Sequence, residues 1–225
     1  MKTDSPMNIR HTSSKIRAIF KVGTKTLLLM FLFLIAFLLE SIVLPEQLII
    51  LEDTLPATNV IFKLQNRILV IVFFLLLILI TKKKYLYLFK LDPLKRKETY
   101  LWIMGILIFK FMMINIMEGF NSIGSFALFP FSFSEYLQLL MIVALIVPLQ
   151  EELLYRGLLL LVPSQKIKYL MLIISSVAFA LIHPTPTTAF WLGLGNGVVA
   201  IRFNNLLVPL IVHSLWNIFV TFYHF

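Results

Sequence analysis

The sequence predicts an all-α protein, a multi-pass transmembrane helix bundle of about seven spans, with eight as the alternative. The chain has 225 residues, 60% of them hydrophobic, and a mean hydropathy of +0.93, whereas soluble domains are about 45–50% apolar. Apolar runs of about 18–20 residues recur, which suits helices that cross a bilayer. Strands of a membrane barrel would instead alternate over about 10 residues. Lys and Arg lie mostly in short blocks between the runs, as the positive-inside rule describes.

The apolar runs and the basic blocks together give a topology. The N-terminus is expected in the cytoplasm and the C-terminus outside, in the cell membrane. The first run is longer than the apolar core of a signal peptide, about 7–15 residues, so we interpret it as a retained span. The predicted spans are Leu27–Leu44, Val60–Ile80, Tyr100–Met117, Glu135–Val162, Tyr169–His183, Thr188–Phe203 and Leu206–Phe222.

Charge and cysteine content exclude several function classes. The formal net charge is +9, but the basic blocks follow the membrane topology, so nucleic acid is not expected as a partner. The chain contains no Cys, which excludes disulfides, thiolate nucleophiles and cysteine-based zinc sites. Any chemistry is therefore left to Glu, His and Asn.

Two adjacent carboxylates and an arginine lie inside the fourth apolar run. They are Glu151, Glu152 and Arg156. Each charge at that depth costs about 2.5–3.5 kcal/mol on insertion scales, so such groups are expected to pair, line a cavity or do chemistry. Glu152 and Arg156 are four residues apart and share a helix face, which predicts an ion pair between them.

Other polar residues fall at a similar depth in the later spans. At about 1.5 Å of rise per residue, Glu151 lies about 18 Å from the cytoplasmic side and His183 about 22 Å. His213 lies about 14 Å and Asn217 about 20 Å from the same side. This shared layer predicts one buried polar site built from spans four, five and seven.

The residue types in this layer suit water activation. A carboxylate beside an imidazole can take a proton from a shared water, and a second His with an Asn amide can donate hydrogen bonds to an oxyanion. Alternatively, Glu151, His183 and His213 could bind zinc as a His₂Glu site, although the His-Glu-x-x-His segment of zincins is absent. A purely structural ion-paired helix contact is the third interpretation.

The remaining buried or half-buried polar residues have simpler interpretations. Lys63 and Arg67 in the outer turns of span two are expected to snorkel. Lys110, well inside span three, is expected to snorkel or to face a cavity. His11 and His224 near the ends of the chain carry no predicted function.

Three motifs on successive spans resemble those of a known family. They are Glu-Glu-x-x-x-Arg at Glu151–Arg156, Phe-x-x-x-His at Phe179–His183 and His-x-x-x-Asn at His213–Asn217. In this order they resemble the CAAX prenyl protease type II and bacteriocin-processing intramembrane proteases (CPBP), also called the Abi family. The resemblance covers about residues 135–222. It divides one membrane domain into residues 1–134, a basic tail with helices one to three, and residues 135–225, a catalytic core.

The resemblance implies an intramembrane endopeptidase without a covalent acyl-enzyme. Glu151 and His183 would activate the water, and His213 and Asn217 would form the oxyanion hole. Glu152 and Arg156 would support the site. The implied cofactor is either none, which we favour, or zinc.

The implied partners are membrane lipid and a membrane-bound peptide or protein substrate. Residue usage rich in Leu, Ile, Phe and Lys favours a bacterial role in peptide processing or self-immunity. The alternative function is a non-catalytic membrane scaffold or immunity protein that retains the polar cluster. A transporter is the third hypothesis; it is weakened because the chain shows no repeated halves with paired broken helices.

Overall fold

Seven long helical segments dominate the part of the chain that the structure describes. The structure is a computed structural model, and it describes residues 6–41, 53–55, 60–62, 64–81, 84–118, 125–126, 128, 130–162 and 165–224. The helices are α1 (Pro6–Ser41), α2 (Leu64–Ile80), α3 (Lys97–Glu118), α4 (Phe133–Leu161), α5 (Lys168–Leu181), α6 (Pro186–Phe203) and α7 (Leu207–Phe222).

The predicted all-α membrane class is confirmed. Within the described residues, three stretches are long and apolar enough to cross a membrane: Arg17–Leu39 in α1, Lys97–Met117 in α3, and Phe133–Leu161. The helices α2, α5 and α7 are apolar but shorter. Two short antiparallel strand pairs accompany the bundle: β1 (Asp53–Leu55) with β2 (Val60–Phe62), and β3 (Ser125–Phe126) with β4 (Tyr223–His224).

Several predicted boundaries were wrong. Span one was placed at Leu27, but α1 already begins at Pro6, because Lys and Arg are good helix formers and allow a helix to continue beyond its apolar part. Span two was placed from Val60, but Val60–Phe62 form a strand and α2 begins at Leu64. Its β-branched residues favour extended backbone at this point. The predicted loop Pro45–Asn59 and the turn at Pro163 lie largely outside the described residues.

Helix α4 occupies the middle of the bundle and changes its winding twice. It is π-helical over Ile142–Ile146 and again over Glu152–Leu161, with a short α-helical stretch, Val147–Glu151, between them. The apolar side chains from Leu153 to Val162 are at most 3% exposed. They belong to the main core, together with side chains from α1, α2, α5 and α6.

The first π segment has a local cause in Pro148. Val147 N–H bonds the carbonyl of Ile142, five residues back, so the next carbonyl, that of Val143, would pair with the N–H of residue 148. A proline has no N–H. The side-chain Nδ2 of Asn217 on α7 donates to Val143 O instead, at 3.1 Å. The freed backbone group is therefore satisfied from a neighbouring helix, as the apolar part of a membrane requires.

Small residues on α6 allow close packing of α5. A Cβ built on Gly197 would lie 2.3 Å from Leu172 Cδ1 and 3.4 Å from Leu160 Cδ2, whereas nothing lies within 4 Å of a Cβ on Gly105 of α3. Helices in membranes often approach each other in this way, through small residues.

We therefore expect Gly197→Ala to destabilise the protein by about 1–3 kcal/mol, because Leu172 must leave its rotamer in a packed core. The matched control Gly105→Ala should be neutral or stabilising by up to about 1 kcal/mol. Thermal unfolding in detergent measures both. Equal midpoints for the two variants would contradict the packing described for α5 and α6.

Candidate functional site

The site forms where α4 changes from α-helical to π-helical winding. Glu151 is the last α-helical residue and Glu152 the first π-helical one. A π turn shifts the direction of the following side chains relative to an α-helix, and such segments are frequent at functional sites. Both glutamates are buried, at 4% and 1% exposure.

Glu152 is held by three side chains from three helices. Its Oε1 accepts a hydrogen bond from Asn196 Nδ2 at 2.7 Å and lies 2.8 Å from His213 Nδ1. Arg156 Nη1 lies 3.4 Å from the same oxygen. The predicted ion pair between Glu152 and Arg156 is therefore present, and this carboxylate ties α4 to α6 and α7.

Arg156 is completely buried and is held by backbone and aromatic groups. Its Nη2 donates to the carbonyl of Gly193 at 3.0 Å. Its guanidinium lies 4.6 Å from the ring centre of Phe179, a cation–π distance. A Cβ on Gly193 would lie 3.1 Å from Phe179 and 3.4 Å from Arg156 Nη2. Glycine at this position thus lets α6 approach the arginine closely.

Glu151 has a different set of neighbours. Arg67 Nη1, on α2, lies 3.2 Å from Glu151 Oε1 and donates to Gln150 Oε1 at 2.5 Å. The other carboxylate oxygen, Oε2, lies 3.6 Å from His213 Nε2. His213 is therefore flanked by both glutamates, one at each ring nitrogen.

Arg67, Glu151, His213, Glu152 and Arg156 thus form one continuous row, which we call the charged array. In this row each carboxylate lies between an arginine and the same histidine. The two arginine charges balance the two carboxylates, which lowers the cost of burying them.

His183 lies beside the charged array and is partly exposed. It follows the end of α5, in the bend before Pro184 and Pro186, which α5 cannot cross as a regular helix. Its Nδ1 lies 2.7 Å from Phe179 O. Because a carbonyl only accepts, Nδ1 carries the proton and Nε2 is the acceptor of the neutral ring. In the described part of the chain, no hydrogen bond or ion pair joins His183 to Glu151.

The ring of Phe179 connects the two histidines. Its centre lies 4.3 Å from the His183 ring and 5.9 Å from the His213 ring. The aromatic residue of the Phe-x-x-x-His motif therefore contacts both imidazoles as well as Arg156. Asn217, one turn after His213, donates to Val143 O and lies beside the first π segment.

Of the predicted residues, the structure brings Glu151, Glu152, Arg156 and His213 into contact. His183 is connected to them through the Phe179 ring, and Asn217 contacts Val143 O instead.

Gln150 and Asn196 could not be recognised as site residues from the sequence pattern. The interpretation of Arg67 as a snorkelling side chain was wrong, because Arg67 faces Glu151. The available signal was a charged or amide side chain inside an apolar run. Lys110 is buried at 1% exposure, with Nζ 5.6 Å from the Trp216 ring centre, so it does not snorkel.

The candidate zinc ligands do not fit a metal site. Across the described ranges, no group of three His, Asp or Glu side chains is placed to hold a metal ion. The Nδ1 atoms of His213 and His183 are engaged by Glu152 and by a backbone carbonyl, so only the Nε2 atoms of these rings could bind a metal.

Comparison with protein families gives the decisive finding. Residues 133–219 match the family described as "Type II CAAX prenyl endopeptidase Rce1-like". This stretch of the chain, which is similar to that family, is called the Rce1-like domain. It spans α4 to α7 and contains the three motifs, so the resemblance inferred from them is confirmed over this part of the chain. Neither the curated proteins nor the solved structures gave a match.

By its description, the family that residues 133–219 match is one of CAAX prenyl endopeptidases. Arg67 lies outside the matched residues. Its Nη1 nevertheless lies 3.2 Å from Oε1 of Glu151, the first glutamate of the Glu-Glu-x-x-x-Arg motif. A residue of the N-terminal helices thus completes the polar site of the Rce1-like domain.

We expect Arg67→Gln to destabilise the protein by about 1–3 kcal/mol, because Glu151 would lose a charged hydrogen-bond partner at a mostly buried position. The matched control is Arg202→Gln. Arg202 pairs with Glu98 at the surface, where both side chains are about half exposed, and exposed pairs contribute about 0–1 kcal/mol. Unfolding midpoints in detergent give the comparison, and an equal loss in both variants would contradict the buried position of the Arg67 contact.

Proposed function

We propose that the chain is an intramembrane endopeptidase that hydrolyses a peptide bond of a membrane-associated peptide or protein with a water activated by Glu151 and His183. The observation that carries this proposal is the environment of Glu151 within an Rce1-like domain. Arg67 holds one carboxylate oxygen, and the other faces an imidazole nitrogen. A buried carboxylate fixed in this way is suited to accept a proton from a water.

The reaction can be written with the side chains of this chain alone. Water oxygen attacks the peptide carbonyl carbon while its proton passes to the Glu151 carboxylate, with His183 Nε2 as a second acceptor. The proton is then given to the leaving amine as the C–N bond breaks. Microscopic reversibility allows one group to serve as base and then as acid.

The tetrahedral oxyanion needs hydrogen-bond donors. We assign this role to His213 and Asn217. Because Nδ1 of His213 is engaged by Glu152, its Nε2 is the ring nitrogen that we assign to the oxyanion. The Asn217 amide carries two N–H groups, so one can donate to Val143 O while the second serves the oxyanion. Glu152 and Arg156 act as supporting residues, because their contacts fix α4, α6 and the His213 ring.

The two adjacent glutamates should respond differently to the same substitution. Glu151→Gln should lower cleavage by about 10²–10⁴-fold, the usual contribution of a general base, and leave the fold intact, with a loss of stability no greater than the about 1–3 kcal/mol expected for Arg67→Gln, which breaks the same contact. Glu152→Gln should also lower stability, by about 3–5 kcal/mol, because Arg156 would remain as a buried charge without its partner.

The assay uses purified protein and a fluorescence-quenched peptide that carries a prenylated cysteine, with unfolding midpoints measured in parallel. Cleavage by wild type that persists unchanged in a folded Glu151→Gln variant would refute the role of Glu151. If instead a folded Glu151→Gln variant has lost cleavage and still supports the cellular phenotype fully, the non-catalytic scaffold or immunity alternative is correct.

Metal removal gives an independent test of the chemistry. Because the candidate ligands do not converge on one point, we expect full cleavage by enzyme shown to be metal-free by elemental analysis. Loss of cleavage on chelation, restored by zinc alone, would refute water activation without a metal. The cellular role that we associate with this activity is bacterial peptide processing or self-immunity.

A further inference from the structure

A polar cavity lies at one end of the bundle, apart from the charged array. Its volume is about 230 Å³, and the residues that line it all belong to the described part of the chain. One wall is the segment between α2 and α3, which contains two short 3-10 turns, Leu86–Phe89 and Asp92–Lys95. The other wall is the turn between α6 and α7. The polar lining residues are Tyr87, Lys90, Asp92, Arg96, Asn204 and Asn205.

The cavity lies at the level where three helices of the apolar bundle end. Helix α3 begins at Lys97, α6 ends at Phe203 and α7 begins at Leu207. Along α6, Phe203 lies about 15 Å beyond Gly193, the residue that contacts Arg156, at about 1.5 Å of rise per residue. The cavity is therefore separate from the charged array and close to the boundary of the membrane.

Hydrogen bonds hold the two walls of the cavity together. Leu206 N–H donates to Leu88 O at 2.8 Å, and Asn205 Nδ2 donates to Lys90 O at 2.9 Å. The Oδ1 of the same asparagine, which is 1% exposed, accepts hydrogen bonds from the first two N–H groups of α7. The shape of the cavity thus does not depend on an occupant.

Two cations on the lining have no partner within the protein as described. Lys90 and Arg96 are exposed, and across the described residues neither side chain makes a hydrogen bond or an ion pair. The carboxylate on the lining, Asp92, is paired with Lys95 Nζ at 3.7 Å. The cavity therefore has an excess of positive charge and is suited to an anion. Arg can bind phosphate oxygens through two parallel N–H groups, and Lys binds them as a point charge.

Exposed apolar side chains beside these cations indicate the source of the anion. Leu86 and Leu91 are exposed on either side of Lys90 in the sequence, and Tyr100 and Leu101 are exposed in the first turn of α3. Basic and apolar side chains that occur together at the end of a membrane helix are typical of a segment at the level of the lipid headgroups. The leucines would contact acyl chains there, while the cations meet the headgroups.

We infer that this cavity binds the phosphate group of an anionic phospholipid, with Lys90 and Arg96 as its cationic ligands. Basic pockets between membrane helices bind such headgroups in other proteins. The volume is below the about 300–1,000 Å³ of pockets for drug-sized ligands, which suits a headgroup. A free phosphate ion offers the same charge but no acyl chains for the exposed leucines, so we assign the site to the lipid. The inference does not depend on the proposed function, because it involves no group of the charged array.

The binding test uses the purified protein in an uncharged detergent. Thermal unfolding midpoints are measured with increasing dioctanoyl phosphatidylglycerol, with dioctanoyl phosphatidylcholine, whose headgroup has no net charge, and with inorganic phosphate. A compound that binds the folded state raises the midpoint. We expect phosphatidylglycerol to raise the midpoint to a plateau at concentrations where the other two compounds have no effect. An equal response to phosphatidylcholine would overturn the inference, and an equal response to inorganic phosphate would assign the cavity to the free ion instead.

Substitutions decide whether the two cations hold the lipid. The double variant Lys90→Gln/Arg96→Gln should raise the phosphatidylglycerol concentration that gives half of the shift by at least about tenfold, because it removes two charged hydrogen-bond donors. The matched control is Arg17→Gln/Lys21→Gln, which removes one Arg and one Lys at exposed positions of α1 outside the cavity. This control should respond to the lipid as wild type does. An equal loss in the two double variants would indicate attraction to general surface charge and would overturn the inference.

Without lipid, both double variants should unfold at the wild-type midpoint, since Lys90 and Arg96 pair with no other described residue. The single substitutions Lys90→Gln and Arg96→Gln replace the double variant if it does not fold. Native mass spectrometry gives an independent readout: wild type and the α1 control should retain bound phosphatidylglycerol, and the Lys90→Gln/Arg96→Gln variant should lose it. Retention of the lipid by that variant would contradict the assigned ligands.

Discussion

The placement of His213 between two buried glutamates is the constraint on which the rest of the structure depends. Each carboxylate would be costly alone in an apolar bundle, and each has an arginine on its far side. The resulting charged array joins α2, α4 and α7, and Asn196 and Gly193 connect it to α6. Since removing one member of a buried charge pair leaves the other uncompensated, the positions of four helices depend on one another through these side chains. Gly193 leaves room for the Arg156 side chain, and the π-helical winding sets the direction of the glutamate side chains; both are part of this arrangement.

Backbone irregularity supplies the geometry that a straight helix would not. Pro148 removes an N–H one turn before the glutamates, and Asn217 satisfies the carbonyl that is left over. The His-x-x-x-Asn motif therefore has a structural role in addition to any chemical role. His213 contacts the glutamates, and Asn217 donates a hydrogen bond to a backbone carbonyl of the helix that carries them. Similarly, the Phe-x-x-x-His motif contributes a ring that contacts Arg156 and both imidazoles.

Much of the fold and part of the site could be predicted from the sequence. Long apolar runs fix the helix class, and the i,i+4 spacing fixed the pair between Glu152 and Arg156, because both signals are local. The contact of Arg67 with Glu151 could not be predicted, because the two residues are 84 positions apart in the sequence. The contact also depends on the rotation of α2 about its axis, and the sequence of a nearly uniformly apolar helix does not indicate that rotation. The partners of Glu151 could not be predicted for the same reason: depth along a helix can be counted, whereas direction around it depends on the π segments.

The environments of the two glutamates explain why adjacent identical residues need not be equivalent. Oε1 of Glu152 makes hydrogen bonds with α6 and α7 and an ion pair with Arg156 of α4, so a proton placed there would weaken the contacts that hold three helices together. Glu151 contacts Arg67 through one oxygen and presents the other to the His213 ring at 3.6 Å, beyond ordinary hydrogen-bond length. A change of its protonation therefore disturbs fewer packing contacts. Adjacent positions on one helix thus carry a carboxylate that joins three helices, Glu152, and a carboxylate with fewer contacts, Glu151.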